Sequence, residues 1–178
     1  HLSEGRDDIV VESVSRLQVK PKSILEIGAA NGHRLNAMCQ HYGAKGYGVE
    51  PSASAVADGS KQYSELQLVV GTADTLPFDS ESMDLVIFGF CLYLIDPKLH
   101  FQAVAEADRV LKDGGTLLIF DFLVTQPYHN PYSHLPGLKA HKMEFQRYFT
   151  AHPAYSLVQR MLDMQGENPL DPDRRETV

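Results

Sequence analysis

The spacing of apolar residues changes along the chain, and each change marks an element. From Ser3 to Leu17, the positions Ile9, Val10, Val14 and Leu17 share one side of a helix, and Pro21 ends it. Ser23 to Ile27 is a short apolar run that stops at Gly28, which predicts a strand. Asn31 to Tyr42 returns to helical spacing, with Leu35, Met38 and Cys39 inward and Gly43 as its stop. Gly46 to Glu50, Leu66 to Val70 and Met83 to Phe88 predict the second, third and fourth strands. Ser52 is placed to cap a helix running through Lys61. Pro97 suits the first turn of a helix to about Leu111. Lys112-Asp113-Gly114-Gly115 reads as its stop and turn, and Thr116 to Val124 as the fifth strand.

These strands are apolar throughout, so both of their faces are covered. That pattern predicts an α/β layer fold around a mainly parallel, doubly wound, Rossmann-like sheet with helices on both faces. Right-handed crossovers then place every strand's carboxyl end on one edge. Glu26 to Gly28, Glu50, Asp74 and Gly89 to Cys91 all fall at or just after such ends, where open α/β sheets hold their ligands. Beyond the fifth strand the pattern weakens. Gln126 to about Leu138, with its prolines, rings and imidazoles, predicts an irregular segment. Lys139 to Thr150 predicts a helix, Tyr155 to Asp163 a sixth strand, and Arg174 to Val178 the start of another.

Composition narrows the class. The 178 residues are 43% hydrophobic and 22% charged, which suits one folded domain over 1–178. A net charge of -7 argues against a nucleic-acid partner. The longest nearly unbroken apolar run, Leu85 to Ile95, is far below the ~18 residues a membrane span needs. The first residues carry no apolar core of a signal peptide. Cys39 and Cys91 form no metal or redox motif. A reduced, cytoplasmic protein without a membrane anchor is the expectation.

Three blocks carry the candidate chemistry. In Glu26-Ile27-Gly28-Ala29-Ala30-Asn31-Gly32, small residues join a strand to a helix, so backbone can approach a ligand and free amides face it. Its glycines are not spaced as a dinucleotide fingerprint requires; taken alone, the lesser reading is a plain tight turn. Glu50, at the second strand's end, is of the kind that accepts hydrogen bonds from both hydroxyls of a ribose, or is an exposed acid. Asp74 is placed to accept from an adenine amino group, with Leu76 and Phe78 flanking the ring; Pro77 and Asp79 suit a plain surface loop equally.

The three blocks, in this order and followed by Glu106-Ala107-Asp108-Arg109-Val110-Leu111-Lys112-Asp113-Gly114-Gly115, resemble the class I S-adenosylmethionine-dependent methyltransferases, type 11 group, over about Ser23 to Asp121. The resemblance implies S-adenosylmethionine as cofactor. It places the methionine end on Glu26, Gly28, Ala29, Ala30, Asn31 and Gly32, and the ribose on Glu50 with Pro51 beside it. It places the adenine at Ala73, Asp74 and Thr75, and the sulfonium against Gly89, Phe90 and Cys91. Ala30 departs from a position that is often glycine. The implied strand order is 3-2-1-4-5, with an antiparallel strand between the fifth and sixth. Arg174 to Val178 is expected to be that strand, in a natural protein continuing for a few residues.

In-line methyl transfer needs positioning more than a catalytic triad, and the sequence shows none. His129, His134 and Tyr93 are candidates for a base, by location only. His129, His134, His141 and His152 lack metal-ligand spacing, so no metal is expected. Asn130-Pro131-Tyr132 reads as a turn. A small-molecule acceptor is expected, with 125–150 as an acceptor-side lid. The alternatives are a cofactor-binding protein of this fold without activity, or, against the glycine spacing, a nicotinamide-dependent oxidoreductase.

Overall fold

The structure, a computed structural model, describes residues 7–124, 126–163 and 175–177, with side chains over 10–124 and 126–161. Helix α1 spans Asp7–Arg16 and is followed by β1 (Ser23–Ile27), α2 (His33–Tyr42), β2 (Lys45–Glu50), α3 (Ala53–Gln62), β3 (Gln67–Val70) and β4 (Met83–Gly89). Two short 3-10 turns, Leu92–Leu94 and Pro97–Leu99, lead into α4 (His100–Val110). Then come β5 (Leu111–Phe122), β6 (Tyr128–Pro131), β7 (Lys139–Lys142), α5 (Arg147–Thr150), β8 (Met161–Asp163) and β9 (Arg175–Thr177).

Seven strands form one sheet in the order β3-β2-β1-β4-β5-β9-β8. The first five are parallel, and β9 runs antiparallel between β5 and β8. Both the expected order and the inserted strand are therefore present; Arg174 and Val178 lie outside the described residues.

Alternation along the strands explains why both faces are apolar. Ile24, Leu85, Ile87, Leu118 and Phe120 face one way, onto Val10, Val14, Leu35 and Met38 of α1 and α2. Leu25, Ile27, Val86, Phe88 and Ile119 face the other, onto Ala103, Ala107 and Val110 of α4 and Phe145 and Phe149. Truncating one such buried aliphatic to alanine costs about 2–5 kcal/mol. At the amino ends of the strands, Asp84 accepts from the amides of Lys22 and Ser23 at 2.8 and 2.9 Å and from Lys112 Nζ at 2.7 Å. It ties β1, β4 and the start of β5 together.

Five local expectations are corrected. Lys112 to Gly115 loop out inside β5: the ladder with β4 passes from Met83–Leu111 to Leu85–Thr116, and Gly114 has φ +71°. The helix expected from Pro97 begins as a 3-10 turn and becomes α-helical at His100. The helix expected over Lys139 to Thr150 is a strand, β7, with only Arg147–Thr150 helical. The reason is tertiary: β7 pairs with β6, Tyr128 facing Lys142 and Pro131 facing Lys139, and Ala140 and Lys142 are buried at strand spacing. Asn130 and Pro131 are strand residues rather than a turn, and of the strand expected over Tyr155 to Asp163 only Met161–Asp163 is strand, as β8, with residues 155–160 leading into it.

Candidate functional site

Beyond the carboxyl end of β1 the backbone turns sharply, with φ +76° at Gly28, +48° at Ala30 and +78° at Gly32. A side chain at Gly28 would bring its Cβ to 2.5 Å from the Cβ of Cys91, so only hydrogen fits. Gly28 and Ala29 donate their amides to the Val49 carbonyl, at 2.9 and 3.2 Å. Ala30 has no such exemption; a left-handed residue with a Cβ carries a strain of roughly 1–2 kcal/mol. What holds it is Glu50. One carboxylate oxygen accepts from the Ala30 amide at 3.0 Å and the other from the Ser52 amide at 3.0 Å. Ser52 in turn caps α3 through the Ala55 amide. Each oxygen of a carboxylate has capacity for a second donor, so Glu50 is braced without being used up.

The loop after β3 carries Ala73 and Asp74 to the same edge. It is clamped from behind. Glu106 accepts from the Leu76 amide at 2.7 Å, and Arg109 donates to the carbonyls of Leu76 and Phe78 at 3.0 and 2.8 Å. Glu106 and Arg109 also pair with each other. The Arg109 hydrogen bonds hold the Glu106 carboxyl down, at about 2. This gives the helix-and-turn block a physical role. It also corrects the expectation for Leu76 and Phe78: Leu76 is core, and Phe78 packs edge-on against Tyr47 at 5.6 Å.

At the end of β4, Phe90 has φ +60°, an outlier for an aromatic residue. Its amide donates to the Phe120 carbonyl at 2.7 Å, and its ring lies 4.8–5.5 Å from those of Phe122, Tyr93 and Phe120. Cys91 donates its thiol to the Ile27 carbonyl at 3.2 Å. Burial, then the charges of Asp121 and Glu26, push this thiol well above its usual range, so it is a packing group and not a nucleophile. Glu26 is fully buried, and Arg34 pairs with it, Nε to Oε1 at 2.6 Å. Arg34 itself reaches the cleft.

The opposite wall is aromatic. Tyr93, from the 3-10 turn, meets the Tyr132 ring edge-on at 6.1 Å and the Phe122 ring edge-on at 5.0 Å. Burial, with Tyr132, raises the Tyr93 phenol far above its ordinary range. Asp121, buried at the end of β5, accepts from the amides of Phe122 and Tyr93 at 2.8 and 3.4 Å. Burial pushes its carboxyl up to about 7 against those hydrogen bonds.

These walls enclose a cleft of about 950 Å³. Gly28, Ala29, Ala30, Asn31, Glu50, Pro51, Ala73, Asp74, Gly89, Phe90, Cys91 and Tyr93 line it together. Glu26, Gly32 and Thr75 stand outside the lining: Glu26 lies behind Arg34, and Gly32 turns the chain into α2. His129 and His134 are outside it too, His134 against the Tyr132 ring at 5.2 Å. Sequence reasoning missed Arg34, Tyr132, Leu135 and Leu138, all of which line the cleft. Arg34 had a visible signal, a cation in the first turn of a helix eight residues after a strand-end acid. Tyr132 had none, because its place depends on the pairing of β6 with β7 on either side of its loop.

The family described as Methyltransferase domain matches residues 25–119, and the chain belongs to that family, with the class I fold. The demethylmenaquinone methyltransferase of Chlorobaculum tepidum is 30% identical over 130 residues, covering 69% of this chain and 52% of that protein. The ubiquinone/menaquinone biosynthesis C-methyltransferase of Hahella chejuensis is 28% identical over 166 residues, 81% of this chain and 66% of its own. The chain spans about half the length of the first curated relatives it matches. The fold is also that of the 1,6-didemethyltoxoflavin-N1-methyltransferase of Burkholderia thailandensis, solved with S-adenosylhomocysteine bound. The TM-score is 0.77 at 14% identity, over 98% of this chain and 77% of that one.

Proposed function

We propose that this chain transfers the methyl group of S-adenosylmethionine to a small, flat, largely apolar acceptor. The observation that carries the reading is Glu50: its carboxylate is fixed by two backbone amides at the mouth of a cleft whose floor, at Gly28, admits no side chain. That donor set fits the cofactor. Glu50 retains acceptor capacity for ribose hydroxyls, Asp74 offers a carboxylate toward an adenine amino group, and Arg34, held from behind by Glu26, offers a cation to the amino-acid end. When bound, the cofactor supplies a methyl group already activated on sulfonium. The chain's residues bind, orient and exclude water.

The acceptor side is lined by Phe90, Tyr93, Tyr132, Leu135 and Leu138, which favours a ring stacked among rings. Tyr93, with its phenol held protonated, donates a hydrogen bond rather than taking a proton. His129 and His134 stay outside the cleft, and an acceptor that enters already nucleophilic requires neither. No group of three or more potential metal ligands occurs among the described residues. We read residues 1–178 as one domain, with 125–150 as its acceptor-side lid. No described helix is long and apolar enough to cross a membrane. The free Cys39 and Cys91 suit a reducing compartment, the cytoplasm.

Calorimetric titration tests this. S-adenosylmethionine and S-adenosylhomocysteine are expected to bind with one-to-one stoichiometry and NAD not at all. Binding of NAD in preference to both would overturn the reading. Radiolabelled methyl transfer to a panel of flat phenols and quinols then separates turnover from binding alone.

A further inference from the structure

We propose that Lys142 is a positioning residue for the acceptor: clasped between the rings of Phe122 and Tyr128 and beside Asp121, its ammonium seats the β6–β7 hairpin so that Tyr132 closes on Tyr93. This rests on the reading of the cleft as a methyl-transfer site.

The hairpin stands apart from the seven-stranded sheet, and a two-stranded hairpin is marginal in water by itself. Something must hold it down. Strand alternation puts Tyr128, Ala140 and Lys142 on its inner face and His129, His141 and Lys139 on the other. Ala140 is only 3% exposed and Lys142 only 5%. A lysine is seldom buried unless its charge is compensated. Here the Lys142 Nζ sits 4.0 Å from the Phe122 ring centre and 5.3 Å from that of Tyr128, where ring faces attract a cation. Its charge also acts on Asp121.

Asp121 is the other half of the device. It accepts from the amides of Tyr93 and Phe122, and so fixes the turn that delivers Tyr93 to the cleft. Asp121 thus ties the end of β5 to the Tyr93 turn, and the Lys142 ammonium over the Phe122 ring ties the hairpin to the same strand end. The chain after β6 moves with the hairpin, because the Tyr132 amide donates to the Leu138 carbonyl at 2.9 Å. Tyr132, Leu135 and Leu138 are cleft residues, and Lys142 is not. Lys142 therefore acts through Tyr132. A purely space-filling role would suit methionine equally well; the aromatic clasp and the acid call for the cation.

The test compares wild-type protein with Lys142→Met and Lys142→Arg. Calorimetry reads the affinity for S-adenosylhomocysteine, then the affinity of the loaded protein for 1-naphthol as an acceptor-site probe. Amide exchange reads residues 128–142. In Lys142→Met, S-adenosylhomocysteine affinity is expected to stay within about twofold, since the sites are separate. 1-Naphthol is expected to bind about tenfold more weakly or worse, with faster exchange across the hairpin. Lys142→Arg is expected to recover most of both. Wild-type 1-naphthol affinity and exchange in Lys142→Met would overturn the proposal, as would Lys142→Arg performing no better than Lys142→Met. A wild type that takes no S-adenosylhomocysteine would instead sink the methyltransferase reading. If wild type binds no 1-naphthol, the exchange comparison and its rescue by arginine decide. If Lys142→Met does not fold, Lys142→Gln, which keeps a polar side chain and removes only the charge, provides the same comparison.

Discussion

Along the ends of β1, β2 and β3, the cleft is walled mainly by backbone: the left-handed turns at Gly28 and Ala30, the amides braced by Glu50, and the loop bearing Asp74. Across from it stand the rings of Phe90, Tyr93 and Tyr132, brought together from β4's end, a 3-10 turn and the hairpin loop. The first wall is set by steric demands local in sequence, so few residues satisfy it. The second is set by mutual packing, in which many combinations of rings give a similar surface. A backbone wall suits an unchanging ligand, and a side-chain wall suits one that differs between relatives.

The largest expected effect breaks the backbone wall. Gly28→Ala adds a Cβ that meets Cys91, in a left-handed conformation. It is expected to cost about 2–4 kcal/mol of stability from strain and overpacking combined, read as a fall in the urea midpoint. A midpoint within error of wild type would show that the turn is freer than its geometry implies. Next comes the clamp behind that wall. Glu106→Gln weakens the hold on Leu76 and Arg109, and is expected to cost about 1.5–3 kcal/mol, the range for hydrogen bonds to charged groups. The loss is expected to shrink as pH falls toward 2, where the wild-type carboxylate is itself protonated. An undiminished loss at low pH would contradict the assignment.

Asp121, behind the ring wall, has the opposite sign. Its folded carboxyl titrates at about 7, above the ordinary range, so the folded chain holds this proton more tightly than the unfolded chain does. Its contribution is whole below about pH 4 and is lost as pH rises to 7. Asp121→Asn is expected to remove that decline, worth at most about 1.4 kcal/mol per pH unit, from urea midpoints measured between pH 4 and 8. A variant with the wild-type slope would place the decline elsewhere. Smallest is Ala30→Gly. Relief of the left-handed strain, offset by glycine's extra freedom when unfolded, is expected to stabilise by about 0.5–1 kcal/mol. That corresponds to a rise of a few degrees in Tm, and a lower Tm would contradict it.

The same contrast explains what the sequence revealed. β1 to β5 were legible because continuous apolar runs ending in Gly28, Glu50 and Gly89 leave few ways to arrange buried strands. The backbone wall followed, since glycine and strand-end acids signal their own geometry. The hairpin was not legible. Ala140, Met143, Tyr148 and Phe149 recur at spacings a helix accommodates, and only pairing with residues 128–131 makes a strand of Lys139–Lys142. Arg34 was half visible, as a cation following Glu26, yet the ion pair needed the fold to bring β1 and α2 together.

The central claim is that the backbone wall, through Glu50, holds S-adenosylmethionine. Calorimetric titration of S-adenosylhomocysteine into wild type and Glu50→Ala tests it most directly, with folding of the variant checked by circular dichroism. The account predicts a loss of about 1.5–3 kcal/mol, or roughly 10- to 150-fold in Kd, in a folded variant. Unchanged affinity in folded Glu50→Ala would contradict it.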